Sequence, residues 1–229
     1  KKIAKKYNLT LIEDAAHALG AKYRKVEIGN ISDFTCFSFQ AKKQLTTGDG
    51  GMIVCRTKKD HFFAQKLKWF NIDRKTKLNF QGERLYKISE IGYKYHLNDI
   101  ASTIGIENLR IIKNTLRYIN YIAKIYDKNF KDLKEIKVLE KKKDRISSHG
   151  LYPILVKKRT SFYNYMKKNN IPISLVHRRI DRYKVFGGRT KNLKNQEYFD
   201  KNHICLPIHE QLSKYQIAKI VKKVKNFKS

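Results

Sequence analysis

Apolar residues recur at Ile100, Ile104, Leu109, Ile112, Leu116, Ile119, Ala123, Tyr126 and Phe130. The spacing is close to the helical period and predicts one long amphipathic helix. Asn98-Asp99 stands before it as an N-cap, and Gly105 inside it is expected to permit close packing. Shorter apolar runs read as strands: Leu9 to Ile12 (LTLI), Phe34 to Phe39 (FTCFSF), Gly51 to Cys55 (GMIVC), residues 151–156 (LYPILV), a short stretch near 173–176, and residues 203–206. Further helices are predicted over 60–70, near 160–169 and over 211–226. Residues 71–90 read as a long polar loop, and the lysine-rich stretch 134–145 as a boundary between domains. The order of elements gives an α/β part over 1–133 and a small α+β unit over 146–229. No internal repeat is visible.

The LTLI run ends in Glu13-Asp14 and leads into the small-residue segment AAHALGA. An acid directly after a buried α/β strand points into the crevice where such folds bind ligands. Asp14 reads equally well as a cap for AAHALG. His17 shares its face if that segment is helical, and is otherwise an ordinary core or surface histidine. Lys42 and Lys43 follow the FTCFSF strand and precede the turn TTGDGG. A solvated pair is the simple reading. A lysine flanked by small and apolar residues can instead be held as the free amine, which forms Schiff bases with carbonyls. Ser38 could offer a hydroxyl to a phosphate, and Gly48, Gly50 and Gly51 let the backbone turn beside a bulky ligand. An amine, an acid and a phosphate donor are the parts that pyridoxal phosphate requires.

Composition narrows the classes. The chain has 229 residues, of which 41% are hydrophobic, enough to bury a core despite a formal net charge of +31. The excess is lysine spread from end to end, without a zinc-finger, RNP-like or helix-turn-helix pattern, so no nucleic-acid partner is expected. A basic nucleic-acid-binding protein stays as a competing class. No run of about 18 apolar residues predicts a membrane span, and no signal peptide is visible. Cys36, Cys55 and Cys205 are scattered, show no metal spacing and are odd in number, which fits a reduced, cytoplasmic setting. The chain does not begin with Met, and Ile3, Ala4 and Tyr7 have helical spacing without a cap before them. It is therefore expected to be the C-terminal part of a longer protein.

Beyond composition, the segments IEDAAHALGAKY, DFTCFSF…KK.LTTGDGGMIV and IGYKYHLNDIASTIGIENL resemble one family, the DegT/StrS-type, fold-type-I sugar-nucleotide aminotransferases that depend on pyridoxal 5'-phosphate. The later segments ISSHGLYPILV, NNIPISLVHRR and ICLPIHEQLS fit its C-terminal domain in order and spacing. The resemblance implies part of a large domain, a mixed or mainly parallel sheet with helices, followed by the small α+β domain. It implies that Asp14 pairs with the pyridinium nitrogen, that His17 lies beside the ring, that Ser38 binds the cofactor phosphate and that Lys43 forms the internal aldimine. The register K-x-L-T-T-G selects Lys43 over Lys42. Members that are dehydratases carry His in place of this lysine, so Lys43 implies transamination, with the same amine moving the proton. Glutamate is the implied amino donor and a keto-sugar nucleotide the acceptor, in amino-sugar and surface-polysaccharide synthesis by a homodimer.

Some positions depart from the family pattern. Lys94 stands where many members have an Asn that reaches the cofactor phosphate of the neighbouring subunit, and a subgroup resembling WFNIDR…GYKYH uses the lysine there. His96 replaces a frequent Arg, and His177 matches a His near the sugar pocket. Members also carry, before this point, a phosphate-binding loop and an aromatic that stacks on the cofactor. The chain alone is thus expected to be weak or inactive. The competing reading is a non-catalytic remnant, or a fragment that needs a separate N-terminal half.

Overall fold

The computed structural model describes residues 1–75, 81–83 and 85–228. Of the polar loop expected over 71–90, residues 76–80 and 84 lie outside the described residues. The chain divides into two compact units, Lys1–Ile112 and Lys113–Ser229.

The first unit opens with a short helix, α1 (Lys2–Lys6), and strand β1 (Ile12–Asp14). The strand starts later than the apolar run suggests. The Leu11 amide is taken by the Asp33 carboxylate at 2.9 Å, and the Leu11 carbonyl accepts from Asp33 and Phe34, so ladder pairing begins only at Ile12. Asp14 is consequently the last residue of the strand. β1 runs parallel to β4 (Phe34–Ser38), which runs antiparallel to β5 (Gly51–Cys55), giving a mixed sheet of order β1-β4-β5.

Between β1 and β4 lies a hairpin, β2 (Lys22–Tyr23) with β3 (Val26–Glu27). Its two turn residues, Arg24 and Lys25, have φ of 48° and 69°. That is the twist a two-residue hairpin demands, met here without the Asn-Gly that announces it in a sequence. Helix α2 (Lys58–Leu67) is capped by Thr57, whose hydroxyl accepts from the Asp60 amide at 3.1 Å.

Helix α3 (Asp99–Phe130) begins where the sequence places it, with Asn98 Oδ1 accepting from the Ala101 amide at 2.8 Å. A Cβ on Gly105 would lie 2.8 Å from the Thr47 methyl, so glycine is what lets this turn of the helix approach the loop after β4. The predicted apolar stripe is buried only in its second half, at Ile119, Ala123, Tyr126 and Phe130. Ile100 and Leu109 are exposed. Buried apolar side chains in the first unit are few, chiefly Ala15, Phe39 and Leu45, while Ile12, Met52 and Ile53 are exposed.

The second unit is built on an antiparallel sheet, β6 (Ile136–Val138), β8 (Tyr152–Val156) and β9 (His203–Leu206), in the order β6-β8-β9. The stretch 134–145, read from its lysines as a boundary, thus supplies an edge strand whose Ile136 enters the core. A two-residue strand, β7 (Arg145–Ile146), precedes β8. The strand expected near 173–176 is a single bridge between Ser174 and Cys205. The polar segment before β9 contains helix α5 (Lys194–Asn202). With α4 (Arg159–Lys168), α6 (Lys214–Asn226) and the end of α3, these elements enclose Tyr126, Phe130, Ile154, Phe162, Met166 and Ile204, all fully buried. α6 starts with a capping box: the Ser213 hydroxyl accepts from the Gln216 amide and the Gln216 side chain from the Ser213 amide. Among the described residues, no helix is long and apolar enough to cross a membrane.

His149 is expected to make the stability of this unit depend on pH. Burial, and then the Lys141 ammonium, push the imidazole down to about 4 against a partial offset from Asp127. The unfolded chain takes up the proton near pH ~6.5, before the folded one does, so stability is full above that pH and falls as pH drops toward ~4. Urea midpoints measured from pH 7 to 4 are expected to fall across that window. They are expected to fall less in His149→Asn, a residue suited to the φ of 49° at this position.

Candidate functional site

The sheet of the first unit brings four of the expected residues to one edge. In the parallel register Asp14 lies opposite Cys36, two residues before the end of β4, and Ser38 is the last residue of β4, opposite Gly51. Both strands therefore deliver a polar side chain at the same C-terminal edge. Asp14 is exposed, and its Oδ1 accepts from the Ala16 amide at 3.1 Å. The carboxylate thus turns the chain locally, as a cap does, and faces outward as well. The turn continues through an Ala18 amide bond to the Ala15 carbonyl, and His17 sits within it.

The loop from β4 to β5 carries the lysines. It is pinned at its base by Phe39, whose amide donates to the Gly50 carbonyl at 2.8 Å and whose carbonyl accepts from the Thr47 amide at 2.9 Å. Phe39, Leu45 and Thr47 are buried beneath it. Gly50 has φ of +154°, and a Cβ there would lie 2.5 Å from Thr47 Oγ1 and 2.8 Å from the Leu97 side chain. No other residue fits that corner without displacing the loop. Gln40 organises the lysine segment. Its side-chain oxygen accepts from the Lys42 amide at 3.0 Å, and its carbonyl accepts from the Lys43 amide at 2.9 Å.

The two lysines end up in different surroundings. Lys42 is exposed. Lys43 is half-buried, and its Nζ lies 2.9 Å from His17 Nε2. An amine, an imidazole, a carboxylate and a hydroxyl thus stand at one sheet edge. Ser38 Oγ accepts from the Gln40 amide at 3.3 Å, which leaves its own O–H free to donate. This donor set suits a small ligand with an aldehyde, a basic ring nitrogen and a phosphate.

Lys94 and His96 form a second cluster in the same unit. Lys94 Nζ lies 3.8 Å from the centroid of the Trp69 ring and 3.5 Å from His96 Nε2. The Trp69 and His96 rings meet edge-on with centroids 4.3 Å apart. Burial and the neighbouring Lys94, Arg74 and Lys68 charges hold His96 below its ordinary range, with Asp99 opposing. Trp69 was not among the expected site residues. Nothing local set it apart, because Leu67, Phe70 and Ile72 beside it are apolar as well. His177 belongs to the second unit, where it is exposed. Among the described residues there is no group of three or more His, Cys, Asp or Glu that could hold a metal ion.

Comparison with known proteins adds an independent line. The model of the DegT/DnrJ/EryC1/StrS aminotransferase family matches residues 1–225. A UDP-4-amino-4,6-dideoxy-N-acetyl-beta-L-altrosamine transaminase of Campylobacter jejuni is 32% identical over 96% of this chain and 58% of its own length. Among solved structures, AtS13 of Actinomadura melliaura superposes with a TM-score of 0.90 at 30% identity, covering 99% of this chain and 61% of that one. The putative sugar aminotransferase Spr1654 of Streptococcus pneumoniae, in its PLP form, gives a TM-score of 0.83 at 26% identity, over 98% of this chain and 59% of that one. The chain thus spans about 60% of the relatives it matches. A match over nearly all of its residues places it plainly: the chain belongs to the DegT/DnrJ/EryC1/StrS aminotransferase family.

Proposed function

We propose that the protein containing this chain transfers an amino group to a keto-sugar nucleotide, with pyridoxal phosphate as cofactor and glutamate as donor. The observation that carries this reading is the meeting of Lys43, His17, Asp14 and Ser38 at one sheet edge. When bound, the cofactor supplies an aldehyde and a ring that accepts electrons. Lys43 is the nucleophilic amine for that aldehyde. His17, 2.9 Å away, takes one of the N–H bonds of the lysine and aims Nζ along the sheet edge. The same Nζ then holds and returns the proton that migrates during transfer. Asp14 keeps a pyridine nitrogen protonated by charge. The Ser38 hydroxyl donates to the phosphate, and Lys94 adds a point charge for a phosphate. His96 and His177 are the weaker candidates for sugar contacts.

In this reading residues 1–133 belong to the cofactor-binding domain and 146–229 form the small domain. The protein acts in the cytoplasm as a homodimer, in the synthesis of an amino sugar for polysaccharide. A second reading is favoured by the exposed Ile12, Ile53, Ile100 and Leu109 of the first unit. It holds that these 229 residues work only together with further polypeptide.

Borohydride reduction in the presence of pyridoxal phosphate, followed by mapping of the modified lysine, tests both readings. Selective labelling of Lys43 in the isolated chain, lost in Lys43→Ala, supports a self-sufficient cofactor site. Selective labelling in the intact protein with diffuse labelling in the isolated chain supports the second reading. Diffuse labelling in both overturns the assignment of Lys43.

A further inference from the structure

The Lys94 cluster is more organised than a surface lysine requires. A short antiparallel ribbon sets it up. The Tyr93 amide donates to the Leu67 carbonyl at 2.6 Å, the Phe70 amide to the Tyr93 carbonyl at 3.1 Å, and the Tyr95 amide to the Lys68 carbonyl at 2.9 Å. Trp69 and Lys94 face each other across it as a bridge pair. Gly92 makes the ribbon possible, since a Cβ there would fall 1.9 Å from the Asn71 amide nitrogen. Both backbones being fixed, the indole lies under the Lys94 ammonium at 3.8 Å.

A free lysine side chain samples many rotamers, and ordering it costs conformational entropy. Here a cation–π contact and the His96 ring nitrogen at 3.5 Å oppose that cost. His96 can accept from an ammonium only as the neutral ring with its proton on Nδ1. That Nδ1 is enclosed and has no hydrogen-bond partner among the described residues. A buried donor left unpaired in this way calls for a physical account.

The electrostatics point to an anion. Arg74 lies 5.4 Å from the same indole centroid, and Lys68 also acts on His96. Among the described residues, no ion pair includes Lys94, Lys68 or Arg74. Lys68 and Arg74 also line a recess of about 500 Å³ with Lys66 and Lys75, where Asp73 is the one acid among the described lining residues. Cations that outnumber the carboxylates beside them repel one another until a further anion arrives.

We propose that Trp69 and His96 are positioning residues: they hold the Lys94 ammonium at a fixed point so that its remaining N–H bonds meet a phosphoryl group. The proposal rests on the aminotransferase reading, which offers two such groups, the cofactor phosphate and the diphosphate of a sugar nucleotide. The proposal for Lys94 above favours the first.

The test is a double-mutant cycle in the intact protein, read as the dissociation constant of pyridoxal phosphate by absorbance titration and as the KM for the sugar nucleotide. Lys94→Ala and Trp69→Leu are each expected to weaken cofactor binding about 5- to 20-fold. Trp69→Phe, which keeps a ring face, is expected to stay within about threefold of wild type, and His96→Gln, which keeps an acceptor, to exceed His96→Leu in affinity. Trp69→Leu is expected to add less than about twofold once Lys94 is alanine. The same pattern in KM, with cofactor binding unchanged, keeps the positioning role and assigns the phosphoryl group to the substrate. Equal losses from Trp69→Leu in both backgrounds make Trp69 merely structural and overturn the proposal, as does wild-type behaviour of Trp69→Leu in both readouts. Retained labelling of Lys43 in the variants leaves the aminotransferase reading standing in either case. A wild-type protein whose Lys43 is never labelled overturns both.

Discussion

Lys43→Ala in the intact protein is expected to lower transamination by about four orders of magnitude. On the proposed function, two roles would vanish with one amine, the covalent hold on the cofactor and the movement of the proton. Lys42 cannot take them over, although it is the adjacent residue. Its amide is tied to the Gln40 side chain and its side chain is exposed, whereas Lys43 Nζ is the one beside His17. Lys42→Ala is expected to change the rate by less than about twofold, the usual size for an exposed position. Steady-state rates with sugar nucleotide and glutamate, taken on both variants, check the pair. Comparable losses from the two substitutions would remove the distinction between the lysines. An activity that survives in Lys43→Ala would remove the proposed chemistry.

The features legible in the sequence share one property: their signal is local. The 3.6-residue stripe and the Asn98 cap mark α3, and the apolar run of β4 leads directly into a glycine-marked corner. Other features are set by partners distant in sequence. β1 starts at Ile12 because Asp33, 22 residues on, occupies the Leu11 amide. The β2–β3 hairpin hides behind Arg24 and Lys25, which carry no turn signature. Ile100 and Leu109 keep the helical period although they are exposed, because periodicity reports that a face is apolar and not what covers it. The site divides the same way. Asp14 and Ser38 sit at strand ends, and Lys43 in the loop that follows one, places that a sequence can locate. The place of Trp69 under Lys94 depends on a ribbon between residues 67–70 and 93–95, joined by a segment with no periodicity at all.

Asp14 separates a structural role from a chemical one. Its Oδ1 accepts from the Ala16 amide, as a turn-capping residue would, and its position at the end of β1 also suits an acid facing a ligand. Asp14→Asn keeps the acceptor oxygen and the shape while removing the charge, so thermal stability is expected to stay near wild type. A carboxylate beside a protonated ring nitrogen stabilises the charge on which the electron-accepting ring depends, and removing one such preorganised stabiliser costs about 10²–10³ in kcat. That loss is expected in Asp14→Asn, with selective labelling of Lys43 retained. If kcat instead stays within about threefold of wild type while the fold is intact, a charge contribution of that size is absent. Asp14 would then be a cap for the AAHALG turn, and the acid for the ring nitrogen would have to come from elsewhere.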